Sequence, residues 1–131
     1  IFYYKVGEFG KSYKFLKDAV ELNPGDKLAL FYKAKVLAEK GKEDQAVKDF
    51  RSVLNSMPES ADAHYSLGRL LGQNDNKFEG FLHFAYAYML LNKKDNTEYY
   101  FQKAESLAKT ANQEAKLQKF EKAYNLRKKY W

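Results

Sequence analysis

Apolar residues recur every three or four positions along most of this chain, and glycine, proline or short polar runs separate the segments that carry them. Asp26 to Lys40 holds Leu30, Ala34 and Leu37 at helical spacing, with Lys33 a polar intruder on the stripe. Gly41 is placed to end that helix, because glycine tolerates a left-handed backbone. Glu43 to Ser56 carries Ala46, Val47, Phe50, Val53 and Leu54, and Pro58 stops it. Ser60 caps the next helix, whose buried stripe is His64, Leu67, Gly68, Leu70 and Leu71. Residues 9–22 repeat the pattern of residues 43–56, with Phe9, Tyr13, Leu16, Ala19 and Val20.

Shifted by 34 positions, the sequence meets itself. Gly7 falls on Gly41, Leu16 on Phe50, Ala19 on Val53, Phe31 on Tyr65, Ala34 on Gly68 and Leu37 on Leu71. The matched positions are small, apolar or turn-forming, which predicts stacked helix-turn-helix units. Small residues such as Ala34 and Gly68 let paired helices approach closely. After residue 72 the period is lost. Gln73–Lys77 reads as a polar turn, Phe78–Leu91 as a helix apolar enough to be buried on two sides or to expose a patch, and Asn92–Asn96 as a second turn. Thr97 is expected to cap a helix bearing Tyr100, Phe101, Ala104 and Leu107. A last helix from about Asn112 carries Leu117, Phe120, Tyr124 and Trp131.

These residues predict an all-α fold of seven or eight antiparallel helices stacked in pairs as a right-handed superhelix. The organisation is read as a single domain over residues 1–131. Residues 1–26 form a truncated first repeat, 27–60 a full repeat, 61–77 the first helix of the next, and 78–131 modified repeats with a capping helix. Ala34, Leu37, Gly41, Ala46, Phe50, Val53 and Pro58, followed by Leu67, Gly68 and Leu71, resemble the tetratricopeptide repeat. The upstream run Tyr3-Tyr4-Lys5-Val6-Gly7-Glu8-Phe9 and the ending Ala19 to Pro24 carry the same likeness, which covers roughly residues 1–72. The chain departs from that pattern at Lys33, where the family usually has Leu, and at Glu43, where it usually has Tyr.

Leu67-Gly68-Arg69-Leu70-Leu71-Gly72, then His83 to Tyr88, then Tyr99 to Ala104 is similar to the C-terminal repeat region of bacterial M48-family zinc metalloproteases. That resemblance implies a docking region for substrates or partners, a catalytic domain outside this chain, and a periplasmic or cell-envelope setting. Without it, the setting expected is cytoplasmic. The opening Ile1-Phe2-Tyr3-Tyr4-Lys5 reads as the middle of a helix, with no signal-peptide pattern, and predicts a chain cut from a longer protein.

Composition narrows the chemistry. The chain has 131 residues, no cysteine and a net charge of +6, which removes disulfides, thiol catalysis and cysteine-bound metals. The only histidines, His64 and His83, lie 19 apart on different helices and lack Glu or Cys at metal-ligand spacing. The zinc motif H-E-x-x-H and the phosphate-binding glycine motifs are missing. No catalytic residue, metal or cofactor is therefore assigned, and no enzymatic activity is expected of this chain. The longest apolar run, Phe81–Leu91, is 11 residues, short of the roughly 20 a membrane span needs. Of the net charge, +4 lies in residues 112–131. Its cations are spread around the helix, so no nucleic-acid partner is expected. Tyr130 and Trp131 beside Arg127-Lys128-Lys129 suit a weak membrane-surface contact.

Aromatic residues make up 17% of the chain, and some face the expected groove. Phe31 with Lys35, and Tyr65 with Arg69, each place a ring one turn before a cation, and Tyr4 projects similarly from the truncated repeat. Tyr4, Phe31, Lys35, Tyr65 and Arg69 are the candidate peptide-binding residues, since aromatic and arginine anchors dominate such contacts. The paired Asn and Lys of a chaperone-type carboxylate clamp are not matched. The function expected is protein or peptide binding within a larger protein. The alternatives are a stand-alone scaffold, or an oligomerisation module in which Phe78–Leu91 packs against a second copy.

Overall fold

The structure, a computed structural model, describes residues 9–23 and 25–131, with side chains from Lys14 onward. The expectations for Tyr4, Gly7, Pro24 and the side chains of Phe9 and Tyr13 lie outside the described residues. The fold is all-α, with seven helices and no strand among the described residues. They are α1 (Phe9–Leu22), α2 (Lys27–Glu39), α3 (Glu43–Ser56), α4 (Ala61–Gln73), α5 (Lys77–Leu90), α6 (Lys94–Leu107) and α7 (Ala111–Lys128). They belong to two compact units, one ending at Glu59 and the other running from Ser60 to Trp131.

Local chemistry sets the helix ends. Asp26 accepts a hydrogen bond from the Ala29 amide at 3.0 Å, and Ser60 accepts from Ala63 at 3.2 Å. Thr110 and Gln113 form a reciprocal capping box at the start of α7. Gly41, Asp75 and Asn92 have positive φ and close α2, α4 and α5. In each case the next amide returns to a carbonyl in the last turn: Lys42 to Leu37, Asn76 to Leu71 and Lys93 to Tyr88, all at 2.9 Å. Only the first of these turns uses glycine. Asp75 stands 34 residues after Gly41 and does the same work, aspartate and asparagine being the side chains that adopt this conformation most readily after glycine.

The helix starts carry the period past residue 72. From α3 to α5 to α7 they are Glu43, Lys77 and Ala111, 34 apart each time. From α2 to α4 to α6 they are Lys27, Ala61 and Lys94, 34 and then 33 apart. The expected loss of period is a loss of small-residue signature, not of helix spacing. The expected cap at Thr97 is corrected. Asn92 completes the turn so early that α6 starts at Lys94. Thr97 lies fully buried inside α6, its hydroxyl donating to the Lys93 carbonyl at 2.7 Å.

In the first unit, α2 packs against both α1 and α3. Leu16, Ala29 and Val36 form one buried cluster, joined by Ala19, Val20 and Tyr32. The Lys33 ammonium pairs with Asp49 of α3 at 3.0 Å, and Gln45 donates to the other carboxylate oxygen at 3.1 Å. The departure at Lys33 is thus half of a partly buried ion pair, with Asp49 itself buried.

In the second unit, α5 packs against α4, α6 and α7, which accounts for its apolar character. Phe78, Leu82, Ala85 and Met89 share a core with Ala104, Leu117, Phe120 and Tyr124. Lys116 bridges α7 to Glu79 of α5. The Phe120 ring meets Tyr86 edge-on at 4.8 Å and stacks on Phe101 at 5.2 Å. The last turn is tied down too: Arg127 and Trp131 both donate to the side-chain oxygen of Asn92.

Candidate functional site

The α4–α5 hairpin positions the most distinctive chemistry. Gly68 and Gly80 meet where the two helices cross, and a Cβ on either would come within 2.9 Å of the other's carbonyl oxygen. Both residues lie six positions from Asn74 at the turn. The same reflection brings His64 opposite His83. Their Nδ1 atoms are 3.0 Å apart, and His64 stacks on Tyr86 at 5.0 Å. A hydrogen bond at this distance requires one ring to donate Nδ1–H and the other to accept at a bare Nδ1. Sequence reasoning placed both histidines on helices but missed their contact. Their near-equal distance from the turn was the available signal.

An aromatic face runs across α4, α5 and α6. The Tyr65 ring lies 5.1 Å from Phe84 and 6.5 Å from Tyr88. Tyr88 stacks on Tyr100 at 5.4 Å, nearly parallel, and Phe81 and Phe84 close on the same Tyr100 ring. Tyr99 meets Tyr100 edge-on, with the Lys103 ammonium 5.3 Å from its centre. Burial, then the neighbouring hydroxyls of Tyr88, Tyr99 and Tyr65, push the Tyr100 phenol above the ordinary tyrosine range. Several hydroxyls therefore share one surface, and two of the rings, Tyr65 and Tyr99, are about half exposed.

Beside this face lies an open cleft of about 300 Å³ lined by Gly68, Arg69, Gly72, Gln73, Lys77, Gly80, Phe81 and Phe84. Glycine backbone and two phenylalanine rings give it an apolar floor. Arg69 and Lys77, both exposed, stand on its rim, and no carboxylate lines it.

The sequence-predicted binding residues are placed unequally. Phe31 is only 7% exposed, with its ring edge-on to Phe50 at 5.7 Å and to Tyr32 at 5.4 Å. The Lys35 ammonium sits 5.3 Å from the Phe31 ring, so ring and cation engage each other. Tyr65, by contrast, is 46% exposed, and Arg69 one turn later is exposed. Tyr65 and Arg69 thus sit together on the open surface of the second unit, whereas Phe31 is largely taken up by packing. Sequence reasoning did not find Gly72, one turn from Arg69 on α4, or Lys77 and Gly80 of α5, which join Arg69 at the cleft only when the hairpin folds.

Among the described residues, no three His, Asp or Glu side chains gather as metal ligands would, and no helix is long and apolar enough to cross a membrane. Trp131 rests edge-on against Tyr124 at 5.6 Å, and Lys128 lies over that same Tyr124 ring. Compared with known proteins, the chain matches no protein-family model and no curated protein.

Proposed function

We propose that this chain is a protein- or peptide-docking module made of tetratricopeptide-like helix pairs and serving a larger polypeptide. The observation that carries the reading is the open ring-and-cation surface of the second unit. Tyr65 is half exposed against the Phe84 and Tyr88 rings of α5, with exposed Arg69 one turn away. Aromatic and arginine side chains held rigidly at a surface are the usual anchors of protein recognition. The 34-residue spacing of helix starts supports the repeat reading, as does the recurrence of a left-handed turn residue at Gly41 and Asp75. Lys35 is the corresponding cation on the first unit, with Phe31 supporting it from below.

The parent protein is read as a peptidase of the M48 type, on the order of segments within residues 67–104. A gene encoding H-E-x-x-H upstream of residue 1 would support this. A short upstream segment without it would leave a free-standing scaffold.

The docking reading is tested by affinity capture with the wild-type chain and with Tyr65→Ala/Arg69→Ala, both checked for equal melting temperature. The expected result is a defined partner retained by the wild type and lost from the double variant. An identical retained set for both chains would contradict the assignment of these residues.

A further inference from the structure

The cleft at the α4–α5 crossing has a shape and a charge that specify more than a generic docking surface. We infer that it receives an acidic segment of a partner polypeptide, with an aromatic or large aliphatic side chain seated on the glycines and a neighbouring carboxylate held by Arg69 and Lys77. This rests on the docking reading and names its partner chemistry.

Three observations converge on it. The floor is apolar, made of the Phe81 and Phe84 rings and the backbone of Gly68, Gly72 and Gly80, so an apolar side chain entering it gains by leaving water. The volume of about 300 Å³ admits one large side chain rather than a folded domain. Both rim cations lack a carboxylate partner among the described residues, whereas Lys33 and Lys116 elsewhere in the chain are paired. An aromatic acidic segment complements both features; a basic one would set like charges together. Gly72 shows that the space is open as well as lined. A Cβ built on it meets nothing within 4 Å, although Gly68 and Gly80 beside it have no room for one.

That contrast supplies the test. Gly72→Leu should fill the cleft from within a helix without straining the crossing, and leucine also favours helix over glycine. The probe is an N-acetylated, C-amidated hexapeptide of alternating aspartate and phenylalanine, with asparagine and lysine versions replacing the aspartates. Binding is followed by the amide resonances of Gly68, Gly72 and Gly80. The aspartate peptide should shift these signals saturably and bind more weakly as salt rises. The lysine peptide should not bind. Gly72→Leu should abolish the shift while the protein melts no lower, and Arg69→Glu/Lys77→Glu should weaken binding by about tenfold or more.

Equal binding of the three peptides overturns the inference, as does unaltered binding to Gly72→Leu. Saturable shifts confined to residues away from the cleft also overturn it but leave the docking reading standing. If vesicles of phosphatidylserine and phosphatidylcholine shift the glycine signals and the aspartate peptide does not, the cleft is a lipid-headgroup site and the inference is wrong. Loss of partner capture by Tyr65→Ala/Arg69→Ala, with unchanged capture by Gly72→Leu, would likewise uphold docking and sink the cleft assignment. Because the peptide charge series uses the wild-type chain, the outcome does not depend on any variant folding.

Discussion

Gly68 and Gly80 hold α4 and α5 so close that each occupies the space a side chain on the other would need. The nearest atom to each is a backbone carbonyl oxygen of the other helix, which cannot rotate aside as a side-chain tip can. Gly68→Ala or Gly80→Ala should therefore cost about 1–3 kcal/mol through overpacking. Gly72→Ala, directed into open space, should instead gain about 0.5–1 kcal/mol. Urea unfolding of the three variants checks this. Equal effects at all three positions would mean that the helices are not in contact at Gly68 and Gly80.

Phe31 and Tyr65 occupy equivalent positions 34 residues apart, yet one is buried and the other is half exposed. Phe31→Ala should cost about 3–5 kcal/mol as a core truncation. Tyr65→Ala should change stability much less and should act on partner capture. Thermal melts of the two variants separate these roles, and similar losses would show that Tyr65 is also a packing residue.

The Lys33–Asp49 pair gives a prediction about sign. Lys33→Met alone leaves the buried Asp49 carboxylate with Gln45 but without its cation, at a cost of about 1–3 kcal/mol. Lys33→Met with Asp49→Leu removes both charges and should be less destabilising than Lys33→Met alone. Denaturant midpoints for the two variants decide it. A double variant weaker than the single one would show that the pair contributes net stability beyond its packing.

Tyr124 should make stability fall at high pH. Its hydroxyl donates to Glu98 at 2.7 Å, and burial, followed by that bond and the Glu98 and Asp95 charges, raises its pKa well above the ordinary 10.0. The folded chain holds this proton more tightly than the unfolded chain. Its contribution is therefore complete below pH 10.0 and declines as pH rises from there toward the folded value. Tyr124→Phe should be less stable at neutral pH and should lose less stability on moving above pH 10. Parallel alkaline dependence in the two proteins would remove Tyr124 as a cause.

Much of this fold could be read from the sequence, because helix stripes and caps are local. Asp26, Gly41, Ser60 and Pro58 announce where helices begin and end, and the repeat at 34 orders residues 9–72. The rest was obscured where one residue type serves two purposes. Thr97 looks like a cap, but it is buried within α6 and bonded back to Lys93. Asp75 and Asn92 adopt the left-handed turn without glycine, so the glycine mark of the period is lost where the helix spacing continues. Lys33 read as a flaw in a stripe because Asp49 lies in the next helix, equally far from Gly41. The same reflection about a turn places His64 on His83 and Gly68 on Gly80. Of the candidate site, Tyr65 and Arg69 were legible from spacing, whereas the cleft beside them depends on how closely two backbones approach.

The account rests on the aromatic face of α4–α6 being a contact surface. A photo-crosslinking amino acid placed in turn at Tyr65, at Tyr99 and at the exposed Glu121 of α7 tests it most directly. The same partner crosslinked from Tyr65 and Tyr99, and not from Glu121, is the result predicted. Crosslinks to that partner from Glu121 alone, or equally from all three positions, would contradict it.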